Sequence, residues 1–372
     1  MIPVVNRRRF TKVLAAMGAG IGLRRIEAGA AARTPPENIR NFNPAMAYRE
    51  LGDTGMRVSV FSLGTGTCNP EVLKEGVKLG VNLIHTSAQY EGGEAIKKLR
   101  GVLKGGVREK VYLAVKDNFD SLEKVLDDLG IAYADLIMFN RHDPASLKVD
   151  LPAIEKKFLR WRDEGKVGSA GLTTHGSMAQ CVDLAAEAGF FSVVMPSYGP
   201  KQVEDFGPQR EVLGLKKMSI IAMKTKGELD GGAYEKQIPR VLADPVVSTV
   251  LKGTGSIENL KRWSTIAAEA RTGMVPRLFD TDNRYAHGYA GCMMCGECGK
   301  ACPRRIDTAG IVRCTRYYND AEHTPEQALR TFHEIGGAAA VASCSDCGAC
   351  ERACPQRINV RGEMKKAAAL WA

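Results

Sequence analysis

Residues 80–90 read Gly-Val-Asn-Leu-Ile-His-Thr-Ser-Ala-Gln-Tyr, and this stretch introduces a pattern that recurs through the middle of the chain. A short β-branched run ends in polar residues, and amphipathic helical patterns lie between such runs. This alternation indicates β/α units and a parallel sheet. We predict eight strands: Val58–Leu63, Val81–Thr86, Val111–Lys116, Leu136–Asn140, Val167–Thr173, Ser192–Ser197, Ser219–Lys224 and Val247–Leu251.

Eight β/α units in about 215 residues predict an α/β fold with a (β/α)8 (TIM) barrel, which typically takes ~250 residues. The competing fold is a doubly wound open sheet. Its glycine-rich G-x-G-x-x-G turn is missing, because Gly64-Thr65-Gly66-Thr67-Cys68 does not match it. One helix is predicted to begin after Asp150, since Asp150 offers an N-cap and Pro152 lies in the first turn.

In such a barrel, chemistry takes place where the strands end and the βα loops begin. These positions carry His85, Tyr90, Lys116, Asn140, Arg141, His142, Thr173, Thr174, His175, Tyr198 and Lys224. A polar, basic rim of this composition suits an anionic or carbonyl-bearing ligand. Lys116 stands out, because an ammonium group at the end of an apolar strand needs a partner at the barrel mouth.

Over residues 46–270 the chain resembles the aldo/keto reductase family. The motifs that carry the resemblance are Tyr48-Arg49-Glu50-Leu51-Gly52-Asp53-Thr54-Gly55, residues 80–90 with Gly93-Glu94, Arg108-Glu109-Lys110-Val111, Glu164-Gly165-Lys166-Val167-Gly168-Ser169-Ala170-Gly171 and Leu251-Lys252-Gly253-Thr254. The resemblance implies a barrel that spans residues 46–275.

In that family a tyrosine is the general acid, a lysine held by an aspartate lowers its pKa, and a histidine orients the substrate carbonyl. By resemblance, Tyr90 and Lys116 take the first two positions. His85 stands where the aspartate is expected, and Asn140 stands where the histidine is expected, with His142 two residues on. We expect catalysis to involve these five residues, in an arrangement that departs from the family pattern.

The resemblance also implies NADP(H) as one possible cofactor. Thr174, Met195 and Met223 align with the family's nicotinamide-binding Asn, Gln and Tyr, so most of these contacts are replaced. The candidate cofactor residues are Thr173 and Thr174 after the fifth strand, together with Lys252 and Thr254, which could hold a phosphate near the last strand.

Two cysteine quartets lie near the C-terminus. The run Cys292-x2-Cys295-x2-Cys298-x3-Cys302-Pro303 recurs as Cys344-x2-Cys347-x2-Cys350-x3-Cys354-Pro355. This spacing is the bacterial ferredoxin signature, in which the fourth cysteine binds the other cluster. We predict two [4Fe–4S] clusters, the first bound by Cys292, Cys295, Cys298 and Cys354 and the second by Cys344, Cys347, Cys350 and Cys302. Structural zinc is the alternative, but zinc sites usually show paired knuckles and not triplets.

The 41 residues between Cys302 and Cys344 are too many for a compact β-type ferredoxin loop. They predict two helices, over Ile306–Tyr317 and from Thr324 onward, where Thr324-Pro325-Glu326-Gln327 has the pattern of a capping box. Residues 276–372 therefore resemble the small, mostly helical two-cluster ferredoxin domains of respiratory subunits.

The first 32 residues have the three parts of an export signal. Asn6-Arg7-Arg8-Arg9-Phe10-Thr11-Lys12 precedes a weakly apolar stretch, and Ala-Gly-Ala and Ala-Ala-Ala sites follow at residues 28–32. The paired arginines resemble a twin-arginine (Tat) signal. Since that route carries folded proteins, it suits a chain whose clusters form in the cytoplasm. We predict a periplasmic protein, with residues 33–45 as a linker.

The net charge is +10, but six basic residues and one acidic residue lie in this leader. Nucleic-acid binding needs basic charge gathered on one face or motif of the folded protein, so we expect no nucleic-acid partner. No apolar run approaches the ~20 residues that would span a membrane.

Together these features predict an exported iron–sulfur oxidoreductase that binds a small carbonyl or anionic substrate and exchanges electrons with a redox protein or quinone-linked donor. One alternative is a non-catalytic periplasmic electron-transfer subunit with a degenerate barrel. The other is a cytoplasmic NADPH-dependent carbonyl reductase fused to a ferredoxin.

Overall fold

The computed structural model describes residues 39–117, 122–199, 206–225, 233–270, 292, 296–318, 325–354 and 357–372. Eight parallel strands close into a barrel: β3 (Phe61–Gly64), β4 (Leu83–Ser87), β5 (Tyr112–Asp117), β6 (Ala134–Asn140), β7 (Val167–Thr174), β8 (Phe191–Pro196), β9 (Ser219–Met223) and β10 (Val247–Lys252). Each strand pairs with the next one along the chain, and β10 returns to β3. The predicted barrel is confirmed.

A two-stranded antiparallel hairpin precedes the barrel, with β1 at Tyr48–Glu50 and β2 at Arg57–Ser59. The prediction of one strand over Val58–Leu63 was therefore wrong in part, because Val58 and Ser59 pair with β1 and only the later residues join the barrel. Leu51, Met56 and Val58 pack into the same apolar cluster as inward-facing barrel residues such as Leu83. The hairpin thus closes the N-terminal end of the barrel.

Helices cover the outside of the barrel: α1 (Pro70–Lys78), α2 (Glu94–Val102), α3 (Leu122–Leu129), α4 (Pro144–Asp163), α5 (Met178–Ala188), α6 (Gly207–Leu215), α7 (Ala233–Leu242) and α8 (Ile257–Glu269). Their apolar faces and the outward side chains of the strands form the largest core.

The predicted helix start at Asp150 was wrong. Helix α4 begins at Pro144, with the Asp143 carboxylate accepting from the Ser146 N–H at 2.7 Å, and Asp150 instead binds Arg141 at 2.8 Å.

The C-terminal part is helical, as predicted, and has a core of its own. Its helices are α9 (Glu297–Lys300), α10 (Thr308–Tyr317), α11 (Pro325–Glu334), α12 (Gly337–Ala342), α13 (Ala349–Ala353) and α14 (Val360–Trp371). Helix α10 begins two residues later than predicted, at the Asp307 N-cap. Thr324, the predicted cap of α11, lies outside the described residues, as do the predicted signal over residues 1–32 and the first residues of the linker. Residues 39–372 form one compact unit.

No helix in the described ranges is long and apolar enough to cross a membrane.

Two glycines in the β1–β2 turn offer a matched test of packing at the closed end. Both have positive φ, +56° at Gly52 and +74° at Gly55. A β-carbon on Gly52 would lie 2.2 Å from the Ser192 carbonyl oxygen, whereas one on Gly55 would contact nothing within 4 Å. We expect Gly55→Ala to cost about 1–2 kcal/mol of unfolding free energy, from backbone strain alone. Gly52→Ala should cost about 1–3 kcal/mol more, from the added clash. Urea unfolding of both variants measures the difference, and equal losses would contradict the packing described here.

Candidate functional site

A cleft lies at the C-terminal end of the barrel strands. Strand and loop residues His85, Tyr90, Lys116, Thr173, His175, Met195, Met223, Lys224, Leu251 and Lys252 line it, with three glycines and Tyr317. The sequence placed many of these residues at strand ends, and the parallel register brings them together. His85 pairs with Ala114 and Lys116 pairs with Met138, so neighbouring strands end at one level.

Tyr90 lies in a tight turn directly after β4. A 3-10 turn spans Tyr90–Gly93, and Glu91, Gly92 and Gly93 all have positive φ. Positive φ strains Glu91, which has a β-carbon, but not the two glycines, and such strain persists where the surrounding structure holds it, often at functional sites. The Glu91 carboxylate holds the turn to α2 through Lys98 at 2.7 Å. The turn presents the Tyr90 phenol to the cleft.

His85 is buried beside Tyr90, with ring centroids 5.9 Å apart in an edge-on arrangement. Burial, followed by the charge of Lys116, lowers the pKa of His85 to about 3. The imidazole is therefore neutral at ordinary pH and adds no positive charge beside Lys116. Its Nε2 is buried with no hydrogen-bond partner among the described residues, so a ligand in the cleft could supply one.

Asn140 and His142 are buried near the cleft but do not line it. The Asn140 Oδ1 has no hydrogen-bond partner in the described part of the chain. His142 Nδ1 accepts from the backbone N–H of His175 at 3.1 Å, and the two imidazole rings lie 5.4 Å apart. His175, which does line the cleft, bonds Ser197 Oγ through Nδ1 at 2.9 Å. Burial, with Arg313 and Lys224 among the nearby cations, lowers the pKa of both histidines.

The lowered pKa values of His85, His142 and His175 predict that the protein loses stability in acid. Each has a lower pKa in the folded chain than its unfolded value of about 6.5, so below that pH the unfolded chain binds the extra protons. The free energy of unfolding should fall by up to about 1.4 kcal/mol per pH unit per histidine, between pH 6.5 and the folded pKa. Urea unfolding at pH 8, 6 and 5 measures the slope. His175→Gln should flatten it, whereas His333→Gln, at an exposed position, should leave it unchanged. A slope independent of His175 would contradict this assignment.

The predicted cofactor residues divide into two sets. Thr173 and Lys252 line the cleft. Thr174 and Thr254 do not: the Thr174 hydroxyl donates to the Gly176 carbonyl at 3.0 Å, and the Thr254 hydroxyl accepts from the Ser256 N–H at 3.1 Å. Tyr198, another predicted rim residue, is fully buried and donates to Asp244 at 2.8 Å.

The C-terminal part contributes one wall of the cleft, which the sequence did not predict. Tyr317, at the end of α10, lines the cleft, and its hydroxyl accepts a hydrogen bond from the Lys224 ammonium. The Lys224 Nζ lies 4.6 Å from the centre of the Tyr317 ring, and the His175 ring meets that ring edge-on at 6.5 Å. No sequence motif linked α10 to the barrel mouth.

The two cysteine motifs adopt the same local structure. Gly296 and Gly348, with φ of 77° and 72°, each precede a short helix, and Arg305 and Arg357 both have positive φ. Each motif ends in a cap that accepts from a glycine N–H three residues on, Asp307 from Gly310 and Asn359 from Gly362. Helices α9 and α13 of the two motifs pack together. The sequence repeat is therefore also a structural repeat.

Four thiols from both motifs line one small cavity. These are Cys302 from the first motif and Cys344, Cys347 and Cys350 from the second. A hydrogen bond from the backbone N–H of Ala349 is the main cause that lowers the pKa of Cys347, while burial raises that of Cys350. Of the other quartet, Cys298 and Cys354 are buried, Cys292 is half-buried, and Cys295 lies outside the described residues.

In the described part of the chain, no three His, Cys, Asp or Glu side chains converge closely enough to bind a single metal ion. A cuboidal iron–sulfur core binds its cysteines at separate iron corners, so its thiolates lie farther apart than the ligands of one ion. The thiol-lined cavity fits that donor set.

Comparison with solved structures assigns the barrel to a known fold. The holo form of the aldo-keto reductase AKR11C1 from Bacillus halodurans matches 61% of this chain and 92% of its own, with a TM-score of 0.51 and 18% identity. A thermostable aldo-keto reductase, Tm1743, in complex with the inhibitor epalrestat, matches 63% of this chain and 99% of its own, with a TM-score of 0.54 and 20% identity. No protein-family model matches the chain.

The chain therefore has a (β/α)8 barrel of the aldo-keto reductase type, with a polar cleft at the C-terminal ends of its strands. A helical part that carries the two cysteine motifs follows the barrel in the sequence.

Proposed function

We propose that this protein is an iron–sulfur oxidoreductase that interconverts a small carbonyl compound and its alcohol in the barrel cleft. The observation that carries the proposal is the cleft itself, where Tyr90, Lys116 and a neutral His85 lie together at the C-terminal ends of β4 and β5. Reduction of the carbonyl takes up two electrons, which two reduced clusters or a bound nicotinamide would supply, and two protons, of which Tyr90 would donate the one that binds to the carbonyl oxygen. Oxidation of the alcohol would return both. Positioned acids of this kind contribute about 10²- to 10⁴-fold to rate.

Lys116 favours the ionised form of a nearby phenol and so makes Tyr90 a better proton donor to a developing alkoxide. Since His85 is neutral, Lys116 is the charged partner of this pair, and His85 can offer a hydrogen bond to the substrate oxygen or accept one from its hydroxyl. Tyr317 and Met223 border the same space, so the substrate is small.

The four thiols of Cys302, Cys344, Cys347 and Cys350 would hold one [4Fe–4S] cluster. By the structural repeat, Cys354 with Cys292, Cys295 and Cys298 would hold the other. When bound, such clusters supply electrons one at a time. Helix α10, about 15 Å long at 1.5 Å per residue, begins six residues after Cys302 and ends at Tyr317 in the cleft. One rigid element thus joins the cluster region to the substrate site.

The experiment that tests the proposal uses full-length protein prepared without oxygen. We expect a brown protein with iron and acid-labile sulfide, whose visible absorbance bleaches on reduction and recovers when a carbonyl substrate from a panel of small aldehydes and oxo acids is added. A colourless preparation that lacks both iron and sulfide would overturn the proposal.

NADP(H) is the alternative electron source for the same cleft, and Thr173 and Lys252 are the predicted cofactor residues that line it. Titration of oxidised holoprotein with NADPH separates the two. Bleaching of the clusters by NADPH would favour a bound nicotinamide, whereas no binding and no spectral change would leave the redox partner protein or quinone-linked donor as the source.

We also propose that the twin-arginine leader exports the folded protein to the periplasm. Replacement of Arg7, Arg8 and Arg9 by lysine should keep the protein in the cytoplasm, as judged by fractionation. Undiminished export of this variant would exclude the twin-arginine route.

A further inference from the structure

The charge around the cleft is one-sided. Lys116, Lys224 and Lys252 line it, whereas no aspartate or glutamate is among the described residues that do so. His142 and His175, which lie near Lys224 and Arg313, have lowered pKa values and are neutral. They therefore neither add to the positive charge nor compensate it. The described lining of the cleft thus contains cations and no carboxylate.

Lys224 is held in this position at a cost to its backbone. It follows β9 with φ of +51°, in the left-handed region, which costs a residue with a β-carbon about 1–2 kcal/mol. Its ammonium donates to the Tyr317 hydroxyl and forms no ion pair with a carboxylate in the described ranges.

Arg313 supplies a second cation, one helical turn before Tyr317. The side chain is 2% exposed, and its Cζ lies 5.6 Å from the centre of the Tyr317 ring. Its Nε, Nη1 and Nη2 are all buried with no hydrogen-bond partner in the part of the chain that the structure describes. Because a guanidinium keeps its proton, a buried one without a counter-charge is strongly unfavourable.

Glu334 on α11 forms no hydrogen bond or ion pair with Arg313. Both its carboxyl oxygens are buried without a hydrogen-bond partner among the described residues, and it forms no ion pair there. Burial is the main cause that raises the pKa of this carboxyl, which favours its uncharged form. The charges of Arg141, Arg313 and Lys116 oppose that rise. Lys224 and Arg313 thus form no ion pair with a carboxylate among the described residues.

We propose that Lys224 and Tyr317, with Arg313 behind them, form a carboxylate-binding subsite, and that the substrate is a short oxo acid. Its carboxylate would contact Lys224 and Tyr317, and its carbonyl would lie near Tyr90 in the same cleft. Arg313 is a positioning residue that strengthens the subsite through its charge. The placement of the carbonyl near Tyr90 rests on the proposed function, whereas the carboxylate-binding subsite at Lys224 and Tyr317 does not.

The direct test is calorimetric titration of full-length holoprotein with oxalate, which has two carboxylates and no reducible carbonyl. Lys224→Met should weaken binding about tenfold to hundredfold, in line with the loss of a charged hydrogen bond. Lys217→Met is the matched control, because Lys217 has a similar positive φ, at +54°, and is exposed like Lys224, but it precedes β9 and does not line the cleft. Equal oxalate affinity in Lys224→Met and Lys217→Met would overturn the subsite.

The denaturant midpoint, measured with and without oxalate, distinguishes a ligand-binding role of Arg313 from a structural role. If Arg313 lacks its counter-ion in the free protein, Arg313→Met should raise the denaturant midpoint without oxalate and reduce the further rise that oxalate causes. Arg313→Lys should keep part of the oxalate effect. A lower midpoint for Arg313→Met together with an unchanged oxalate response would show a structural role and contradict the proposal.

A third measurement identifies the source of the anion and separates this inference from the proposed function. With reduced methyl viologen as the electron donor, two electrons per carbonyl, holoprotein should reduce pyruvate with a KM at least tenfold below that for the neutral analogue pyruvamide. Inorganic phosphate and NADPH should not displace oxalate. Equal use of both substrates, or displacement by phosphate or NADPH alone, would overturn the carboxylate subsite and leave the proposed function standing. Failure to reduce either substrate or any other carbonyl, with iron and sulfide absent, would overturn the proposed function.

Discussion

Tyr90→Phe should lower the kcat for carbonyl reduction by about 10²- to 10⁴-fold, the range that a positioned general acid supplies. The variant removes one oxygen and keeps the ring beside His85, so the turn over residues 90–93 should be preserved. Iron and sulfide content should match the unsubstituted protein, because Tyr90 is on the barrel and not among the cysteine motifs. Steady-state kinetics and metal analysis on the same preparation measure both.

Tyr133→Phe is the matched control for this experiment. Tyr133 is 39% exposed, and its ring lies under the Arg108 guanidinium, away from the cleft. Its kcat should be unchanged. If the unsubstituted protein turned over no carbonyl, and Tyr90→Phe left cluster reduction and electron flow to a partner unaffected, the non-catalytic electron-transfer subunit would be the correct interpretation.

Cys302→Ala should remove about half of the iron and sulfide, because it takes one thiolate from only one of two clusters. The matched control is Cys181→Ala on α5, which removes a buried thiol that donates to the Gly176 carbonyl at 3.7 Å. That variant should keep the full metal content. Iron and sulfide analysis of anaerobic preparations makes the comparison.

Double variants test which cysteines share a cluster. Since Cys302 lines a cavity with Cys350, the pair Cys302→Ala and Cys350→Ala should lose no more iron than either single variant. The pair Cys302→Ala and Cys298→Ala should lose both clusters. The opposite result would mean that each motif binds its own cluster without exchange of the fourth cysteine.

The barrel could be predicted because its signal is repeated eight times and depends on local pattern. The errors arose where one local signal competed with another. Val58–Leu63 is a continuous β-branched run, but its first residues find partners in β1 and its last ones in the barrel, and pairing partners are not visible in a single run. Asp150-Leu151-Pro152 imitates a helix start, yet Asp143-Pro144 provides the same cap earlier, and the helix continues through Pro152.

The part of the candidate site on barrel strands was predictable for the same reason, since strand ends of a barrel converge by geometry. Tyr90, Lys116 and His85 line the cleft as that rule requires, whereas Asn140 and His142 are buried just outside it. Tyr317 and Arg313 were not predictable. They come from a helix about 90 residues after Lys224, and only tertiary packing, which no short-range pattern encodes, brings them to the barrel mouth.

The hairpin at the other end of the barrel has a consequence for how this architecture could be altered. With that end filled by Leu51, Met56 and Val58, the proposed substrate and product would enter and leave at the end where α10 lies. Grafting the loops of another barrel enzyme onto these strands would therefore replace only part of the cleft lining, because Tyr317 comes from α10. Selectivity would continue to be set in part by a segment outside the barrel, so a change of substrate range requires redesign of both regions together.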